Sequence, residues 1–241
     1  MSRRDQAERV TALLRALGLA RDPFAEPRNL LPQLRPLRTW QGERLARSFG
    51  DLRQNPRYRA AADFFVTELY GSDDASWRDR DLQRMLPTLR AWLPAHMLDT
   101  VAAALELDLI SHELDLSVAD ALARERVAPD RITAPRYAAA YRAAGDRPAR
   151  ARQLELLLVV GRELDRIVKK PLIYTILKLA RGPARAAGLN RLQQFLDHGF
   201  AAFGAMGGAD AFLAEVERRE REVMARLFAG HRDPFGEEYG S

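Results

Sequence analysis

His112 is the side chain whose setting most invites chemistry. It occupies a position on an apolar helical stripe, with Asp108 four residues before it and Asp115 three after. At those spacings a carboxylate reaches a ring on the same helix face, where it accepts a proton or fixes a tautomer. An imidazole oriented in this way serves as a general base, or as a ligand to haem or metal. The competing reading is a buried histidine satisfied by a neighbouring acid or backbone carbonyl. Glu68 shares a predicted helical face with Ala61, Phe64 and Phe65. A carboxylate there requires an arginine or hydrogen-bond partner, or else has a raised pKa suited to acid-base work or metal ligation. Tyr70, beside Gly71, closes that helix either as a cleft wall or as a core tyrosine. Glu220 falls between Val216 and Val223 on the last apolar stripe, inside Arg218-Arg219-Glu220-Arg221-Glu222, where local pairing is the simpler expectation. If the chain has a site, Glu68, Tyr70, Asp108, His112 and Glu220 are the residues expected to converge on it.

The familiar catalytic constellations are absent. A carboxylate-bridged di-iron bundle needs Glu-x-x-His pairs. The residues three before His96, His112, His198 and His231 are Leu93, Leu109, Phe195 and Phe228. His112-Glu113 is not followed by the second histidine of a zinc protease helix, and neither a nucleophile elbow nor a phosphate-binding loop occurs. Without cysteine, disulfides, thiolate metal sites and thiol nucleophiles are excluded together. No cofactor is named by these residues. Phe195, Phe200, Phe203, Phe212 and Phe228 crowd the C-terminal region, either as core or around a small apolar ligand or haem near His198.

Positioning falls to helices. The chain of 241 residues carries 47% hydrophobic and 29% charged residues, which suits a folded globular protein. Helical periodicity runs from end to end without alternating strand patterns, so the expected fold is all-α, a compact bundle of about nine or ten helices. Residues 1–22 read as an amphipathic helix, 23–39 as an extended connector set by Pro23, Pro27, Pro32 and Pro36, 40–229 as one helical domain, and 230–241 as a frayed tail. Within the domain, a helix is expected from Trp40 to Gln54, another after Pro56, and one with stripe Leu82, Met85, Leu86, Leu89 and Leu93 after the Ser76–Asp79 cap. Pro148 to Val168 is apolar on nearly every side and is expected to be the central helix. Pro171 opens a further helix, and Asn190–Met206 with Ala209–Phe228 suggests a closing hairpin.

The net charge of +5 invites nucleic acid as a partner, but its distribution argues otherwise. Residues 1–60, 61–130, 131–190 and 191–241 carry +7, −8, +9 and −3, and blocks of alternating sign neutralise one another when packed side by side. A protein partner is therefore the expectation ahead of nucleic acid, and the residues do not fix an oligomeric state. No apolar run is long enough to span a membrane and the N-terminus lacks a signal peptide's core, so a soluble cytoplasmic protein is expected.

The segment Phe64-Phe65-Val66-Thr67-Glu68-Leu69-Tyr70-Gly71 resembles the signature of the bacterial FFLEELY-motif proteins, matching five of its seven named positions and departing at Val66 and Thr67. Asp79-Arg80-Asp81 and Leu86-Pro87 are similar to that group as well. The resemblance implies a bacterial origin and brings no activity with it. The leading functional expectation is a non-catalytic helical binding or adaptor protein; the alternatives are a helical-bundle enzyme or sensor holding a small apolar ligand, haem or metal, and a basic nucleic-acid-associated protein.

Overall fold

The structure, a computed structural model, describes residues 2–70, 95–170 and 187–236 and a few isolated positions between them. Among these it is an all-α bundle with nine α-helices and no strand. In chain order they are α1 (Arg3–Arg21), α2 (Leu34–Ser48), α3 (Gly50–Gln54), α4 (Arg59–Phe64), α5 (Ala95–Arg124), α6 (Ala134–Ala144), α7 (Arg147–Val168), α8 (Asn190–Ala205) and α9 (Asp210–Phe228). The helices expected after Ser76 and from Pro171 lie outside the described residues.

Helix α1 starts at a capping box, with Ser2 Oγ accepting from the Asp5 amide and Asp5 accepting from the Ser2 amide. Val10, Leu14 and Leu17 then bury one stripe of α1 against α5, where Ala102 and Leu105 meet them. The connector is shorter than the prolines suggested. A 3-10 turn covers Pro27–Leu30 and α2 begins at Leu34, so Pro36 lies inside the helix. It sits at the third helical position, where an α-helix has no internal partner for the amide that proline lacks. The helix expected to run to Gln54 breaks at Phe49, a fully buried ring at the joint between α2 and α3.

Two packing expectations are corrected. Helix α7 packs on α5, α8 and α9, but Glu155, Val159, Arg162 and Arg166 recur at the helical period and are exposed. Val159 lies on this solvent stripe at 40% exposure, so the apolar surplus of α7 does not encircle it. The hub among the described residues is the 30-residue α5, which touches α1, α2, α6, α7 and the 3-10 turn. The final two helices do not form a closed hairpin. Gly207 and Gly208, both at positive φ, redirect the chain so that α8 packs chiefly on α4 and α7, and α9 on α6 and α7. Residues up to Gly236, read as tail, fold back: Pro234 is buried, and the Phe235 ring lies 5.7 Å from Trp40 and 6.0 Å from Tyr137.

Helices α7 and α9 approach closely at Gly161, where an added Cβ would stand 2.6 Å from Leu213 Cδ2 in the core. Gly161→Val is expected to cost about 2 kcal/mol by overpacking, or roughly 4–8 °C in Tm. An unchanged melting curve would show that Leu213 has room to move. The same logic holds at Gly199, whose Cβ position is 3.0 Å from Phe64 Cζ. Phe64 also lies 5.4 Å from Phe195, and Phe65 meets Phe49 edge-on at 5.8 Å, so the two phenylalanines that open the motif anchor the core.

Candidate functional site

His112 is buried on α5 and both ring nitrogens are engaged. Arg38 Nη2 donates to Nδ1 at 2.6 Å, and Nε2 lies 2.9 Å from the Ala20 carbonyl. A guanidinium only donates and a carbonyl only accepts, so the partners assign a neutral ring protonated at Nε2. Neither aspartate touches the ring. Asp115 Oδ2 accepts from Arg38 Nε at 3.0 Å, which aims the guanidinium at the imidazole, while Asp108 pairs with Arg21 at 2.7 Å. Acids expected to orient the histidine directly therefore orient arginines from α1 and α2 instead. A base needs a lone pair facing a substrate, and the lone pair of His112 faces Arg38.

Burial, reinforced by the Arg38 guanidinium, holds His112 below the usual imidazole range. With the folded pKa below the unfolded one, the stability contributed by the neutral ring is fully present above about pH 6.5 and is lost as pH falls through the folded value. Removing Arg38 in Arg38→Leu is expected to move the His112 titration upward towards 6.5, as followed by its ring proton resonances. A wild-type midpoint at or above 6.5 would contradict the assignment. Glu215, held down to about 2 by hydrogen bonds from Arg218 and then Arg219, loses its contribution only below about pH 4.5.

Glu220 on α9 does not rely on its own cluster. It pairs with Arg44 of α2, Nη1 to Oε1 at 2.7 Å and Nη2 to Oε2 at 3.4 Å. Its neighbour Arg219 is the buried member of that run, reaching Asp51 twice at 2.7 Å, Glu215, and the Ser48 carbonyl. Arg38 and Arg44 are six positions apart on α2, about 9 Å along the axis, so the His112 and Glu220 networks hang from different turns of one helix. Glu68 and Tyr70 belong to the π-helical turn Phe65–Tyr70, and their side chains lie outside the described residues.

The alternation of charge along the sequence takes a physical form here. Basic residues of the first block reach acids of the second in Arg9–Glu106, Arg21–Asp108 and Arg38–Asp115, and Arg152 of the third block shares Glu106 at 2.9 Å. Among the described residues, no group of three or more His, Asp or Glu is placed to hold a metal ion.

Two features were not singled out from the sequence. A cleft of about 660 Å³ lies between the start of α5 and the end of α7, with His96, Asp99, Glu163 and Lys170 on its walls. Its acids are committed: Glu163 pairs with Arg166, and Asp99 accepts from Gln6 at 2.6 Å. The second feature is the turn after α1. Leu19 is 57%, Phe24 97% and Leu30 72% exposed, although a polar net fixes their backbone. Asp22 accepts from the Phe24 amide at 2.9 Å, and Asn29 Nδ2 donates to the carbonyls of Ala20 and Glu26 at 2.8 Å. The Ala20 carbonyl is thus shared by Asn29 and His112, and the buried histidine pins the turn that displays Phe24.

No curated protein and no solved structure matches the chain. Residues 20–234, which include α2 to α9, the His112 network and the Phe24 turn, match the model of a family described as a domain of unknown function, and the chain accordingly belongs to that family, DUF8198.

Proposed function

We propose that this chain is a helical binding or adaptor protein of the bacterial cytoplasm that works by contact with a protein partner rather than by catalysis. The observation that carries the reading is Phe24, a nearly fully exposed aromatic ring on a turn held by hydrogen bonds, flanked by exposed Leu19 and Leu30. Aromatic side chains held ready in this way are typical anchors of interfaces, because little conformational freedom is lost when they enter a partner's pocket. The commitment of His112, Asp108 and Glu220 to arginines and backbone supports the same reading, since it leaves their polar atoms occupied by structural bonds. In this reading α1 to α9 act as one helical domain, the likeness of Phe64–Gly71 to the FFLEELY-motif group reflects common descent, and nucleic acid is a lesser partner because Arg9, Arg21 and Arg38 of the first basic block are paired with acids of the second. The test is the native mass of the protein taken from its source cell, compared with Phe24→Asp. A partner of fixed stoichiometry that the variant loses supports the proposal. A stoichiometric haem, metal or small molecule retained by both proteins would overturn it.

A further inference from the structure

Arg150 lies at the fourth position of α7 and is only 7% exposed, yet its Nε and Nη2 are sealed from solvent without a hydrogen-bond partner among the described residues. The other buried arginines are matched: Arg44 meets Glu220, and Arg219 meets Asp51 and Glu215. A guanidinium withdrawn from water without an acid is costly, so an orphan of this kind calls for an explanation. Part of the cost is offset by stacking, since the Arg150 guanidinium carbon stands 3.5 Å over the centre of the Tyr141 ring. Stacking occupies the flat face of the group and leaves its in-plane N–H edges unused. Burial pushes the Tyr141 phenol up, so it is neutral at ordinary pH and supplies no counter-charge.

The surroundings favour an anion. Arg147 stacks on Phe228 at 5.5 Å, and the Phe228 ring lies 5.2 Å from Tyr141, which brings a second guanidinium to the same aromatic cluster. Arg142 is held nearby by its bond to the Leu227 carbonyl at 3.2 Å. The start of a 22-residue helix adds partial positive charge, Asp146 is occupied in capping the Ala149 amide, and Glu220, whose charge is felt at Tyr141, is paired with Arg44. Nη1 is not among the sealed atoms, so it is the nitrogen that an incoming group can reach.

We propose that Arg150 is the centre of an oxyanion-binding site, taking an oxygen of a phosphate or carboxylate through Nη1, with Tyr141 as the stacking platform beneath it and Arg147 adding charge. A hydrogen bond from a guanidinium to an anionic oxygen is roughly twice as strong as one between neutral groups. The test uses the full chain, melted in inorganic phosphate, in acetate and in chloride at equal ionic strength, beside Arg150→Met. The wild type is expected to melt higher in phosphate or acetate than in chloride, and the variant to lose that difference. At an anion concentration 100 times Kd the folded-to-unfolded ratio rises about 100-fold. A response to phosphate alone assigns a phosphoryl group, and a response to both assigns oxyanions in general. No response in the wild type, or an equal response in the variant, overturns the proposal. Should Arg150→Met fail to fold, the Arg150 Nε–H resonance of the wild type decides: it shifts on titration with the responding anion if the site exists, and an unmoved signal overturns it.

Discussion

Replacing His112 by alanine is expected to destabilise the fold by about 2–4 kcal/mol, as much as Leu116→Ala, a fully buried leucine on the same helix. The substitution removes the acceptor for Arg38 and one of two donors to the Ala20 carbonyl, and it opens a cavity between α1, α2 and α5. Each polar group left buried without a partner costs about 1–3 kcal/mol, and the figure stays at the lower end because Arg38 keeps Asp115 and some contact with water. For a domain stable by about 5–15 kcal/mol this is a large share. Equilibrium urea unfolding at pH 7.5 measures it. A catalytic histidine would behave in the opposite way, with activity lost and stability kept, so a variant that unfolds with the wild type would contradict the structural role.

Phe24→Asp is expected to leave stability within about 0.5 kcal/mol of the wild type, because an exposed ring contributes little to the folded state. Its effect on binding is expected to be large. An aromatic anchor at the centre of an interface is worth about 2 kcal/mol or more, which corresponds to at least roughly 30-fold in Kd. The two substitutions are linked through the Ala20 carbonyl, since His112→Ala releases one of the bonds that hold the Phe24 turn. His112→Ala should therefore weaken the partner complex as well as the fold, whereas Phe24→Asp weakens the complex alone. Titration calorimetry with the partner, alongside urea unfolding, separates the two effects.

Helices were readable because their information is local. The stripe Val10, Leu14, Leu17 on α1, the apolar run ending near Ala123 on α5, and the Gly145 stop after α6 each depend on residues within a few positions of one another. What escaped was non-local. Whether Pro36 ends a connector or begins a helix depends on where the amides of that turn find partners, and the exposure of Val159 follows from which neighbours α7 meets. The candidate site shows the same divide. His112 was recognisable as an awkward buried group, but its partners Arg38 and Ala20 lie 74 and 92 positions away, and Arg44 lies 176 from Glu220. Among 38 basic residues nothing in the spacing marks which arginine reaches which acid. Phe24 did carry a signal, a large apolar residue between Pro23 and Pro27 in a segment with no helical stripe to bury it.

The most direct test of function by contact is the native mass of the chain isolated from its own cell, with Phe24→Asp isolated in parallel. A defined complex with a protein partner is expected for the wild type, and the bare 27.2 kDa chain for a variant that melts normally. A wild-type chain that emerges without a protein partner but with a tightly bound cofactor, unchanged by Phe24→Asp, would contradict function by contact.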